Sequence, residues 1–157
     1  MNTIELTLGY KALIDEKDFS LVSKLKWRAS KTKYNIYACS GCKKTKTFTL
    51  MHRLLLGNPK NMVVDHKNGN GLDNRRENLR ACTHTQNTWN AIKKQIHATS
   101  NLKGVYRYTN GRKKPFYAKI VVMKKQICLG YYHTENEAHE VYKKAAEKYF
   151  GEYSNAG

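Results

Sequence analysis

In the stretch VVDHKNGNGLDNRRENLR, Val63 to Arg80, an Asp-His pair stands ahead of a loop crowded with Asn, Gly and Arg. These residue types can supply what the cutting of a phosphodiester needs: a base to activate water, a divalent cation to neutralise charge, and basic groups to hold the backbone. His66 has the near-neutral pKa of a general base, and Asp65 beside it offers a hard oxygen ligand. Arg75, Arg76 and Arg80 supply positive surface, and Asn87, on a helix further on, can be brought to the same cation.

Blander readings compete. As a calcium loop the stretch places His66, Asn68, Asn70, Gly71 and Glu77 at the first, third, fifth, sixth and twelfth positions of the EF-hand pattern. His is a poor calcium ligand, however, and the loop lies between the strand-like MVVDH and LRACT rather than between two amphipathic helices. Asn74 and Asn78 could be ordinary turn formers, Asn87 a solvent-facing helix residue, and His84 a residue near a helix start. Cys39 and Cys42 have metal-like spacing but no second C-x-x-C, and Cys82 with His84 would complete a zinc site irregularly. The CSGC segment therefore reads as a hairpin turn with Ser-Gly at its tip, and zinc is not expected at Cys39 and Cys42.

The elements that must position these residues follow from local pattern. Residues 1–50 read as a β-rich segment: LTLGYKALI is extended, Asp15 caps a brief helix in DFSLVSKLKW with Phe19, Val22 and Leu25 toward one side, and YNIYAC and TFTL alternate like paired strands. MHRLLLGNP is an apolar helical turn stopped by Gly57 and Pro59. A strand, the Asn-rich loop and a return strand then lead into a helix starting near Thr83 in THTQNTWNAIKKQ. The catalytic segment so defined runs over residues 51–95, and a basic linker over 96–102 follows.

Residues 103–153 have the clearest logic. KGVYRY, FYAKIVVM and QICLGYY are strands, with turns at NGRKKP and near Lys124-Lys125. The capping box Thr134 to Glu137 opens a helix whose apolar face runs Ala138, Val141, Tyr142, Ala145 and Tyr149 until Gly151. Alternation buries Ala118, Ile120, Val122, Ile127 and Leu129 against that helix. Tyr117, Lys119, Val121 and Met123 are left on the other face with Tyr106 and Tyr108. The fold class is α+β: a β-rich N-terminal segment, a strand–strand–helix module, and a three-stranded antiparallel sheet packed on one helix.

Charge indicates the partner. The net charge of +17, from 29 Lys and Arg against 12 Asp and Glu, is spread along the chain and suits a polyanion. With 11 Tyr interleaved, nucleic acid fits better than a membrane, and the Tyr/Lys face flanked by Arg107, Arg112, Lys113, Lys114, Lys124 and Lys125 is shaped for a major groove. The N-terminus lacks a basic start followed by an apolar core, and no apolar run approaches the roughly 20 residues a bilayer needs. An intracellular protein is expected.

Two resemblances sharpen these expectations. The pattern V-D-H-x-N-G-N-x-x-D-N-R-x-x-N-L-R-x-x-T-x-x-x-N, Val64 through Asn87, resembles the HNH nuclease family, and Asn87 as its third letter, with MHRLLLGNP upstream, resembles the phage and intron-encoded homing type. That resemblance implies a ββα-metal module in which His66 is the general base and Asp65 and Asn87 hold one Mg²⁺ or Mn²⁺. Asn78 would pin the loop, with Arg53 and His52 structural or DNA-contacting. It further implies 3′-hydroxyl and 5′-phosphate ends, and a chain with one site that acts as a monomer and nicks.

GVYRY, FYAKI and CLGYYHTENEAHEVYKKAAEKYFG resemble the ethylene-response-factor (Apetala-two type) DNA-binding domain over about residues 100–153. In that family the exposed sheet face enters the major groove of double-stranded DNA. This implies contacts from Tyr106, Tyr108, Lys119, Val121, Gln126 and Cys128, to which the alternation and its flanking charges add Tyr117, Arg107 and Lys124, with a different sequence preference, because Tyr106, Tyr108, Val121 and Cys128 replace the Arg and Trp of the plant pattern. A non-catalytic DNA-binding regulator and an RNA-binding protein are the alternatives. An intact Asp65, His66 and Asn87 argue for the enzyme, since pure binding needs no base beside a metal ligand.

Overall fold

The computed structural model describes residues 2–42, 47–90 and 100–155. The chain is α+β, with small antiparallel sheets and four α-helices among the described residues, and divides into two compact units, Met1–Asn87 and Thr88–Gly157. No helix among the described residues is long and apolar enough to cross a membrane.

In the first unit, β1 (Asn2–Glu5) and β2 (Lys11–Ile14) form an antiparallel hairpin whose alternation sends Ala12 and Ile14 inward. A short 3-10 turn leads into α1 (Phe19–Val22), which is much briefer than the expected DFSLVSKLKW helix. Val22 alone of the expected apolar side is buried; Phe19 and Leu25 are 45% and 39% exposed. One turn of helix has one inward position, and Trp27 secures it by donating its indole N–H to the Val22 carbonyl at 2.8 Å.

Strands β3 (Arg28–Lys31), β4 (Ile36–Cys42) and β5 (Thr47–Leu50) follow as one antiparallel sheet in that order. Here CSGC is strand rather than turn: Ser40 and Gly41 pair with Thr49 and Phe48, and Cys39 is buried in the ladder. A Cβ at Gly41 would lie 2.0 Å from the Thr47 carbonyl oxygen, so the glycine serves close strand approach and not a turn tip. Helix α2 (Met51–Leu55) ends at Gly57, whose φ of 72° lets the chain leave the helix.

A two-stranded ribbon comes next, β6 (Val63–His66) against β7 (Leu79–Cys82), with Asp65 opposite Arg80 and His66 opposite Leu79. Helix α3 (His84–Asn90) starts behind Thr83, whose hydroxyl accepts from the Gln86 N–H while Gln86 Oε1 accepts from the Thr83 N–H. Its expected extension to Gln95, and residues 96–99 of the linker, lie outside the described residues.

A boundary was expected near residue 50, yet one core crosses it. Leu6, Ala12, Ile14, Val22, Trp27, Ala38, Met51, Leu55 and Leu79 form a single buried cluster. The β-rich segment is therefore the other half of the ribbon's own core.

The second unit contains β8 (Val105–Arg107), β9 (Phe116–Val122) and β10 (Lys125–Tyr132) in the order β10-β9-β8, and α4 (Glu135–Phe150). Met123 and Lys124, both at positive φ, form the tight turn between β9 and β10, so Met123 stands at a hairpin tip and not on the sheet face. The Thr134 hydroxyl caps α4 by accepting from the Glu137 N–H, worth about 1 kcal/mol. The buried stripe of α4 is Ala138, Tyr142, Ala146 and Phe150, strictly four apart, and Tyr149 is 42% exposed. The helix is thus turned from the phase expected. A strict four-residue repeat slants around the helix relative to the mixed three-and-four pattern, and that slant brings Phe150 into the core in place of Tyr149.

Candidate active site and nucleic-acid face

His66 ends β6, 5% exposed, with its Nε2 3.3 Å from Asn74 Oδ1. Asn74 is fully buried, and its amide nitrogen donates to the Leu72 carbonyl, which orients its oxygen toward the imidazole. An oxygen there can only accept, so the proton sits on Nε2 and Nδ1 is the basic nitrogen. Burial lowers the His66 pKa, and the smaller opposing effects of Asn74, Asp65 and Asp73 do not reverse it. A neutral imidazole at pH 7 is the form that can take a proton.

His52, on α2, meets the His66 ring edge-on at 5.0 Å, and Tyr37, on β4, packs on both at 5.5 and 5.9 Å. The family resemblance implies for His52 only a structural or DNA-contacting role. It is 6% exposed, with its Nδ1 buried and lacking a hydrogen-bond partner among the described residues. Burial, then repulsion from His66 and Arg53, pushes its pKa down to about 3. Nothing in the sequence links Tyr37 to this site, because only the fold of β4 brings it there.

The loop between the strands is closed by its own amides. Asn78 Oδ1 accepts from the Asn68 N–H at 3.0 Å, while its Nδ2 donates to the Asp73 carbonyl at 2.7 Å and to Asn68 Oδ1 at 3.1 Å. Asn68 and Asn70 each accept from the backbone N–H two residues on. The N-terminal hairpin completes the closure: Leu13 donates to the Leu72 carbonyl and accepts from the Asn74 N–H, and Asp15 Oδ2 accepts from the Arg76 N–H at 2.8 Å.

The loop arginines are all engaged with carboxylates. Arg75 forks onto Asp73 at 2.8 and 2.7 Å, which lowers the Asp73 pKa, and also reaches Glu77. Arg76 grips Asp18, 58 residues earlier in the chain, and Arg80 grips Asp65. Arg80 is 9% exposed and is thereby removed from the open positive surface where it was expected; Arg75 and Arg76, 25% and 39% exposed, keep an edge toward solvent. Arg53 is likewise a clamp, donating to the Met62 and Pro59 carbonyls at 2.9 Å.

For a metal, the donor set decides. Among the described residues there is no cluster of three or more His, Cys, Asp and Glu that could hold an ion. Asp65 is a buried carboxylate on β6, and Asn87 is half-buried one turn into α3, its N–H bonded to the Thr83 carbonyl. One carboxylate and one amide oxygen suit a hard cation that keeps much of its shell as water and phosphate oxygen. Burial, and then the Asp65 carboxylate, raise the Cys82 thiol above its ordinary pKa.

In the second unit the register sorts the exposed face of the sheet. Tyr106, Tyr117 and Tyr131 form one cross-strand row, Lys119 lies opposite Cys128, and Val121 opposite Gln126. Tyr108 stacks on Tyr117 at 4.8 Å, Arg112 covers Tyr108 at 4.3 Å, and Lys119 covers Tyr106 at 4.2 Å while donating to Gln126 Oε1. Tyr106 is only 9% exposed beneath Tyr117 and Lys119, so it is the floor of the row and not one of its contacts. Arg107 lies over Phe116, and Lys124 projects at the hairpin tip. Tyr131 was missed because strict alternation from Cys128 sends it to the wrong side; a bulge between Cys128 and Gly130, with Gly130 at φ 127°, restores it to the face.

The family model described as HNH endonuclease matches residues 52–88, the segment that carries the ribbon with Asp65 and His66, its loop with Asn78, and the start of the helix with Asn87. Beyond that segment the chain is similar to an uncharacterized HNH endonuclease of Acanthamoeba polyphaga mimivirus, 28% identical over 148 residues, covering 93% of this chain and 74% of the relative. No solved structure gives a significant match.

Proposed function

We propose that the protein is a metal-dependent HNH endonuclease of homing type that nicks double-stranded DNA near a site bound by the sheet of residues 103–153. The observation that carries the reading is the buried, neutral His66 whose tautomer is set by Asn74 inside a loop closed by Asn78. His66 takes the proton from an attacking water at Nδ1 and so generates the nucleophile for in-line attack at phosphorus. Asn78 holds the loop so that the imidazole keeps its orientation. Asp65 and Asn87 would hold Mg²⁺ or Mn²⁺, which supplies neutralisation of charge on the phosphate and the departing 3′ oxygen. The products are 3′-hydroxyl and 5′-phosphate ends. With one site per chain, a monomer cuts one strand at a time.

Docking falls to the second unit, where Tyr108, Tyr117, Lys119, Arg107 and Lys124 face the duplex, with Tyr131 added by the bulge. The tyrosine rings already stack on one another, so their edges and hydroxyls meet the partner and few ring faces are left for unstacked bases. Groove recognition of a duplex is favoured over single strands.

Supercoiled plasmid with Mg²⁺ tests the reading. Wild type should yield relaxed circles, and His66→Ala should be slower by about 100-fold or more, the usual contribution of a general base. EDTA should stop cleavage and spare binding. Equal, metal-independent cleavage by both proteins would overturn the assignment.

A further inference from the structure

Asp65 already has a cation. Arg80, directly across the ribbon, donates from both Nε and Nη2 to Asp65 Oδ2, at 2.9 and 2.8 Å. Both side chains are nearly sealed from water, 9% and 7% exposed, so the pair is little screened. Arg75 and Arg76 are paired too, but with Asp73 and Asp18, carboxylates that shape the loop. Of the three, Arg80 is the one laid on the carboxylate that is to serve as a cation ligand.

We propose that Arg80 is a built-in counter-cation for Asp65. It is a positioning residue that holds the carboxylate in place by its two hydrogen bonds in the metal-free protein, then competes with the divalent ion for Oδ2. The inference rests on the reading of Asp65 as a metal ligand. A buried carboxylate stripped of its partner is strongly destabilising, and Arg80 removes that penalty before any ion arrives. The same guanidinium opposes the ion, because the ion must share or displace its bond and meets its positive charge. Coupling of this kind is reciprocal: whatever Arg80 subtracts from metal affinity, the metal subtracts from the Arg80–Asp65 bond. A Lys at this position would keep the charge but lose the planar fork.

The test uses the full chain, with Mn²⁺ binding titrated by electron paramagnetic resonance and thermal unfolding followed in EDTA and in Mg²⁺. Arg80→Gln should melt below wild type in EDTA, bind Mn²⁺ roughly tenfold more tightly, and gain more melting temperature from Mg²⁺ than wild type does. Arg80→Lys should fall between the two. Mn²⁺ affinity that is unchanged or weaker in Arg80→Gln, or no larger a gain from Mg²⁺, would overturn the counter-cation role. If Arg80→Gln fails to fold in EDTA, Arg80→Lys decides alone: affinity above wild type supports the role, and affinity equal to or below wild type overturns it. Asp65→Asn separates this inference from the reading beneath it. Mn²⁺ bound as tightly by Asp65→Asn as by wild type removes Asp65 from the ligand set. Mn²⁺ lost in Asp65→Asn but indifferent to both Arg80 variants removes only the role of Arg80.

Discussion

His52 shows how much of the site is set by solvent exclusion at a single residue. Packed against His66 and Tyr37, it stays neutral in the fold down to about pH 3, whereas in the unfolded chain it titrates at the ordinary value near 6.5. Between those values the unfolded state binds a proton that the native state refuses, so stability is fully present above pH 6.5 and is lost as the pH falls through that window. His66, lowered in the same direction, adds to the slope. Urea unfolding should give a steady midpoint from pH 7 to 8 and a falling one from about pH 6 to 4, and His52→Phe should flatten part of that fall. The placing of Asp65 and His66 on one strand of a ribbon, with Asn78 in its loop and Asn87 on the helix that follows, was legible from residue type and spacing. The engagement of the arginines was not: the partner of Arg76 lies 58 residues upstream, and no local pattern announces a pairing made by the fold.

At the scale of elements, the loop between β6 and β7 is shaped as much by what it rests on as by its own amides. Gly71 sits where a Cβ would come 2.4 Å from the Ile36 carbonyl oxygen and 2.6 Å from the Tyr37 ring, and its N–H donates to Asn35 Oδ1. Gly71→Ala therefore forces β4 and the loop apart. It should lower stability by about 1–3 kcal/mol in thermal unfolding. Because Tyr37 is the ring behind His52 and His66, nicking should also fall at temperatures where the variant remains folded. The ribbon, its loop and the capped start of α3 were readable because each has a short-range signature. The CSGC strand was not, since Ser-Gly favours a turn locally and only pairing with β5 shows otherwise. The phase of α4 and the bulge in β10 were misread for a related reason: strict periodicity cannot register one extra residue or choose between adjacent apolar positions.

For the molecule as a whole, a charge of +17 makes DNA binding steeply dependent on salt. Arg112, held over Tyr108 at the edge of the tyrosine row, is placed to meet a phosphate. Arg112→Ala should reduce the slope of log affinity against log salt by about one, uniformly across sequences. Cleavage of a saturating duplex should stay unchanged, and titrations at several salt concentrations would show a change in slope apart from any change in folding.

The hairpin of residues 2–14 reaches the loop between β6 and β7 through Leu13, and the turn after it through Asp15 and Asp18. The segment that matches the HNH endonuclease model begins at residue 52, but the scaffold that shapes it begins at the other end of the chain. A portable nuclease cassette taken for fusion to another targeting domain would have to start at Asn2. One trimmed to residues 52–88 would carry Asp65, His66, Asn78 and Asn87 and lack the staples that hold their loop.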